Sequence, residues 1–226
     1  MEYLFDTANL EDIRKYSEIF PITGITSNPS IVKLEGKIEF FQHFKEIRQI
    51  IGFDKTLHIQ ILAENAEDII AEANTLLSKI DDQIFIKIPV TPQGLKAMRL
   101  LKADGVHITA TAIYTKMQGL LALEAGADFI APYVNRMQNL DINAYEVIQT
   151  FAKMIEQYHY PAKIVAASFK NMHQVNAAFE YGAQTVTIPP SLLIDAFKMP
   201  SIQKAIDDFS ADWGKTFGDI SITKLK

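Results

Sequence analysis

Ile84-Phe85-Ile86-Lys87-Ile88-Pro89-Val90 places a single ammonium group in a run that is otherwise wholly apolar. An unbroken apolar run, as opposed to an alternating one, marks a parallel strand covered on both faces. Successive side chains of a strand point to opposite faces, so Ile84, Ile86 and Ile88 share one side and Phe85, Lys87 and Pro89 the other. Lys87 is therefore directed into an enclosed space. Desolvation penalises a charged amine, which predicts a lowered pKa and a neutral nucleophile able to attack a carbonyl. A lone strand lysine can equally snorkel from the strand end or pair with a carboxylate. The other strands decide between these readings.

Outward from this run, strand-like and helix-like segments alternate along the chain. Residues 3–8, 22–28, 57–62 and 84–90 read as strands, as do 107–114, 129–134, 163–169 and 185–188. Asn9 is positioned to cap a helix over 10–16, Asn65 one that runs to Leu77, and Gly126 to end a helix over 115–125. Helical spacing also marks 38–51, 93–103, a stretch ending near Tyr158 and one ending at Gly182, while 135–143 reads as a polar loop. Eight strands with intervening helices, and no glycine fingerprint after the first strand, predict an α/β fold: an eight-stranded parallel (β/α)8 TIM barrel rather than a doubly wound sheet. Residues 1–226 are expected to form this single domain, with 200–216 an additional C-terminal helix. Its apolar set Ile202, Ala205, Ile206, Phe209 and Trp213 requires cover, on this barrel or on a neighbouring subunit.

With 226 residues, 48% of them hydrophobic, the chain can bury one large core. A net charge of -5 argues against nucleic acid or an anionic membrane surface as a general partner. There is no cysteine, so disulfides and thiolate-held metals are excluded. Residues 1–6 run directly into a strand-like segment without a basic or long apolar leader, and no apolar run reaches the ~18 residues of a membrane span. A cytoplasmic protein is expected.

Enzymes on this barrel place their chemistry at the C-terminal ends of the strands. Polar residues recur there: Asp6, then Thr26 and Asn28, Gln60, Lys87, Thr109 and Thr111, Tyr133, and Ser168. Each alone has an ordinary explanation as a cap, a strand threonine or a turn serine. Their recurrence on successive strands implies a shared site, because each buried polar group needs a partner. Schiff-base chemistry at Lys87 needs a proton shuttle, a holder for the water that is lost and regained, and donors for substrate hydroxyls. Tyr133 suits the shuttle, Gln60 and Thr111 the water, and Asp6 the amine and a substrate hydroxyl. Thr26 and Asn28 offer further contacts. Arg136 and Ser168 suit a phosphate, and Lys170 reads as a solvated lysine. The five histidines form no H-x-x-x-H pair, so no metal is expected, although His58 and His107 can both face the interior and leave a ligand pair open.

Phe5-Asp6-Thr7-Ala8-Asn9, Gly24-Ile25-Thr26-Ser27-Asn28-Pro29-Ser30, Lys87-Ile88-Pro89-Val90-Thr91, Gln118-Gly119-Leu120-Leu121-Ala122, Ala131-Pro132-Tyr133-Val134-Asn135-Arg136 and Ala166-Ala167-Ser168-Phe169-Lys170 together resemble the small transaldolase family. Within it the fructose-6-phosphate aldolase branch is the most similar, over essentially the whole chain. The resemblance implies a cofactor-free class I aldolase with Lys87 as Schiff-base lysine, Asp6 and Tyr133 in proton handling, and Gln60 and Thr111 at the catalytic water. It also implies Thr26, Asn28, Ala131, Arg136 and Ser168 around the substrate, the last two at its phosphate. Sugar phosphates are the implied ligands, and pentamers or decamers the implied assembly, with the last helix reaching a neighbour. Similar transaldolases carry glutamate in place of Gln60, asparagine in place of Thr109 and phenylalanine in place of Tyr133, which favours the aldolase branch. Ser27 departs from the usual threonine. The alternatives are a transaldolase that transfers the dihydroxyacetone unit between sugar phosphates, and a barrel that binds sugar phosphates without turnover.

Overall fold

In the computed structural model, which describes residues 1–225, each strand pairs in parallel with the next in sequence, and the last returns to the first to close a barrel. The strands are β1 (Glu2–Asp6), β2 (Ile22–Thr26), β3 (Thr56–Gln60), β4 (Phe85–Pro89), β5 (His107–Ile113), β6 (Phe129–Pro132), β7 (Lys163–Ala166) and β8 (Thr185–Ile188). The helices in chain order are α1 (Leu10–Ser17), α2 (Pro29–Val32), α3 (Phe40–Ile51), α4 (Ala66–Lys79), α5 (Pro92–Ala103) and α6 (Lys116–Glu124). These are followed by α7 (Val134–Gln138), α8 (Ala144–Tyr158), α9 (Met172–Glu180), α10 (Pro190–Asp195) and α11 (Pro200–Phe217). The expected (β/α)8 TIM barrel is thus observed.

Helix starts follow the sequence chemistry. Asn9, Asn65, Thr91, Thr115, Asn143 and Asn171 each accept a hydrogen bond from a backbone N–H of the first turn. At Thr115 the cap is reciprocal, since Gln118 reaches back to the cap backbone. Two short helices add to those expected from the sequence. Pro29 at the first helical position and the Asn28 cap start α2 directly after β2. Val134, expected to end the sixth strand, and the first residues of the expected polar loop form α7, held by backbone bonds from Val134 to Ala167 and from Asn135 to Ser168.

Strand register fixes which side chains face inward. Gln60 pairs with Lys87, Lys87 with Thr109, and Thr109 with Phe129. Asp6 pairs with Thr26, and Thr26 with His58. Residues in register share a face, so all of these project into the barrel. The middle of the interior is apolar, formed by Leu4, Phe129, Ala131 and Val165 with Phe85 against them. At the N-terminal ends of the strands, Glu2 pairs with Lys163 at 2.6 Å and accepts from Thr185 at 3.0 Å. The opposite face of the sheet packs on the helices through buried Ile86 and Ile88 and through Phe44, Met98 and Phe151.

Two compact units are distinguished, Met1–Pro190 with the barrel, and the segment from Ser191 onward. Within the second unit, Trp213 stacks near Phe217 at 4.5 Å and donates through Nε1 to the Ile220 carbonyl. None of the α11 residues is buried, and Ile202, Ile206 and Phe209 are exposed.

Candidate active site

Lys87 is only 3% exposed, yet no carboxylate among the described residues forms an ion pair with it. Its Nζ donates to the Ser27 carbonyl at 3.3 Å, a long contact that leaves donor capacity unused. The snorkelling reading is therefore excluded: the amine lies inside the barrel mouth. Ser27 takes part through its backbone alone, as its hydroxyl is directed to the His58 carbonyl.

Asp6 lies on the same inward face. Burial pushes its carboxyl above the ordinary range, against the opposing pull of Lys87, the Thr26 hydrogen bond and Arg136. Thr26 donates to Asp6 Oδ1 at 2.7 Å and lies 2.6 Å from the Thr187 hydroxyl. With its hydroxyl engaged on both sides and 1% exposed, Thr26 orients Asp6 and has little left to offer a substrate. Asn28 is similarly committed: its Oδ1 accepts from the Ser30 and Ile31 backbone N–H groups at the start of α2.

On the opposite wall, the Thr111 and Tyr133 hydroxyls are 2.9 Å apart, with Tyr133 8% exposed. Gln60 Oε1 is buried and has no hydrogen-bond partner. A buried acceptor left unpaired costs about 1–3 kcal/mol, so Gln60 is set to take a donor from water or substrate. Arg136, on α7, holds its guanidinium 4.7 Å from the Tyr133 ring centre and donates to the Tyr114 hydroxyl at 3.4 Å. Ser168 follows β7 with φ of 65°, a left-handed conformation of the kind that accumulates at functional sites. Ala131 is buried in the wall below Tyr133.

Tyr114 was not singled out by its sequence position. Strict alternation from Thr109 and Thr111 would turn Ile113 inward and Tyr114 outward. The register on β6 slips between Ala110, paired with Ile130, and Ile113, paired with Pro132, and Ala112 takes a φ of 55°. This bulge puts Tyr114 beside Tyr133, with ring centres 5.7 Å apart.

His58 and His107 both face the interior, but Phe85, on the strand between theirs, stacks on each ring, at 4.7 and 4.8 Å. Both His58 nitrogens are already bonded, Nδ1 to Thr109 at 2.7 Å and Nε2 to Thr56 at 2.8 Å. A ligand pair is therefore not formed. Burial, then the nearby charges of Lys87 and Arg48, lower the His58 pKa to about 3. Among the described residues there is no group of three or more His, Cys, Asp or Glu side chains able to hold a metal ion. No helix among them is long and apolar enough to cross a membrane.

Comparison with known proteins identifies the family. The profile of the family described as Transaldolase/Fructose-6-phosphate aldolase matches residues 3–223. A Streptococcus pneumoniae protein described as "Probable fructose-6-phosphate aldolase" is 53% identical over 213 residues, 94% of this chain and 96% of its own length.

Proposed function

Because the chain belongs to the transaldolase/fructose-6-phosphate aldolase family, we propose that it is a class I aldolase that reversibly cleaves fructose 6-phosphate through a Schiff base on Lys87. The observation that carries this reading is a buried lysine without an ion-pair partner, facing one wall of the mouth that holds Asp6 and another that holds the Thr111–Tyr133 hydroxyl pair.

The Lys87 nitrogen adds to the C2 ketone of the open-chain sugar, and loss of water gives an iminium ion. Removal of the C4 hydroxyl proton then lets the C3–C4 bond break. Its electron pair passes into the enamine, and glyceraldehyde 3-phosphate leaves as the aldehyde. Protonation of the enamine at C3 and addition of water release dihydroxyacetone and restore the amine. Tyr133 is the group that moves these protons, oriented by Thr111, and Gln60 receives the water. Asp6 holds a substrate hydroxyl and stabilises the cationic nitrogen, while Arg136 and Ser168 take the C6 phosphate.

Incubation with fructose 6-phosphate alone, with assay for free dihydroxyacetone and glyceraldehyde 3-phosphate, tests the activity. Borohydride reduction in the presence of dihydroxyacetone tests the intermediate: a covalent adduct is expected on Lys87 and absent from Lys87→Ala. An adduct that persists in Lys87→Ala would remove the assignment. Slow release of dihydroxyacetone combined with fast exchange when erythrose 4-phosphate is added would instead identify a transaldolase. An amide at Gln60 and a phenol at Tyr133 support the lyase, because the phenol is then the proton carrier at hand.

The reading extends to assembly as a pentamer or decamer. The exposed stripe of α11 needs cover, and the first unit carries an apolar groove of about 610 Å³ between α3 and α4, lined by Phe40, Phe41, Phe44, Leu62 and Leu76. Light scattering of wild type and Phe209→Lys tests it, with a smaller species expected for the variant. A substrate of central carbon metabolism and a cysteine-free chain suit the cytoplasm.

A further inference from the structure

We infer that Tyr114 is a positioning residue of this site: it fixes the Arg136 guanidinium and braces the Tyr133 ring, so that the phosphate and the proton shuttle are held at one spacing. The inference rests on the proposed role of Arg136 at the phosphate.

Arg136 is an exposed, long side chain at the rim, and among the described residues no carboxylate forms an ion pair with it. Left to itself, such a side chain would sample many rotamers and lose that freedom each time it gripped a ligand. Here it meets an aromatic corner. The face of Tyr133 lies under the guanidinium at 4.7 Å, within cation–π range, and the Tyr114 hydroxyl accepts from Nη1 at 3.4 Å. The two phenol rings meet edge to face, 5.7 Å between centres and 72° between planes. The hydrogen bond is long, so its value lies in direction: it holds the fork of nitrogens above the mouth, ready for a planar two-point grip on a phosphate.

Tyr114 is itself held from both sides in sequence. The bulge at Ala112 turns it inward. Its backbone N–H donates to Gln118 Oε1 at 3.0 Å, the same side chain that completes the α6 cap. A strained residue before it and a capped helix after it leave the ring little freedom of position. The bulge therefore does two things at once: it ends the Thr111 side of β5 facing Tyr133, and it adds a second phenol that carries the rim arginine. Tyr114 needs no contact with the reacting atoms to act in this way.

The test compares a phosphorylated acceptor with an unphosphorylated one, glyceraldehyde 3-phosphate against glyceraldehyde, each condensed with dihydroxyacetone by wild type, Tyr114→Phe, Arg136→Gln and the double variant. Loss of one hydrogen bond to a charged group predicts that Tyr114→Phe raises KM for glyceraldehyde 3-phosphate by roughly 3- to 10-fold. Its kcat and its KM for glyceraldehyde stay within about twofold, the spread that a silent surface change gives. The double variant is expected to be no worse than Arg136→Gln alone, since both changes remove one interaction. If Arg136→Gln penalises only the phosphorylated acceptor while Tyr114→Phe leaves its KM unchanged, the inference falls and the phosphate role of Arg136 stands. If Arg136→Gln affects both acceptors alike, the phosphate reading falls and takes the inference with it. Equal losses on both acceptors in Tyr114→Phe would mark a merely structural tyrosine and also overturn the proposal.

Discussion

Acidification is expected to draw a specific cost from His58. Its ring is fully buried between Phe85 and Phe129, both nitrogens are taken by threonine hydroxyls, and its pKa falls from 6.5 to about 3. A histidine lowered in this way is protonated in the unfolded chain before the folded one, so the unfolded state binds more protons between these values and stability falls as the pH drops through 6.5. At about 1.36 kcal/mol per pH unit the full loss is ~5 kcal/mol once the pH reaches about 3, and about 2 kcal/mol between pH 7.5 and pH 5. His58→Phe keeps a flat ring in the slot and cannot titrate. Urea unfolding of wild type and variant at these two pH values, at one protein concentration, isolates the contribution, because every other titrating group is common to both. The wild type should lose about 2 kcal/mol more than the variant on acidification. Equal losses would refute the reasoning, since His58 would then protonate as easily in the folded barrel as in the unfolded chain.

Tyr133→Phe removes the hydroxyl 2.9 Å from Thr111 and should lower aldol turnover by about 10²-fold or more with the urea midpoint unchanged, as expected for a lost proton shuttle; wild-type turnover would assign the protons to another group. Gly119→Ala in α6 would put a Cβ 2.2 Å from Phe151 Cζ. It should destabilise by about 1–3 kcal/mol despite the gain in helix propensity, and an unchanged melting temperature would mean that Phe151 moves aside freely. Asp81→Ala strips the carboxylate from Arg48, which is 6% exposed and already has an unpaired Nη2. A loss of about 3 kcal/mol is expected in urea unfolding, and a loss below about 1 kcal/mol would show the guanidinium to be hydrated. Ala112→Gly relieves a left-handed alanine at the β5 bulge and should raise stability by up to about 1 kcal/mol; a loss would mean that the methyl group packs usefully there.

The sequence by itself determined the barrel, because its signals are local: eight apolar runs, helix caps at Asn9 and Asn65, and a lysine whose strand parity directs it inward. It also named Asp6, Thr111, Tyr133 and Arg136, since residues near strand ends in this architecture converge on one mouth. Only the tertiary structure decided how their polar atoms are shared. Thr26 and Asn28 have the residue types of substrate ligands, yet Asp6, Thr187 and the first turn of α2 occupy their oxygens. The two histidines that parity sends inward are kept apart by a ring on the strand between them. Tyr114 enters the site through one extra residue in the β5 register, and a bulge arises from how two paired strands fit, which leaves no pattern in either strand alone.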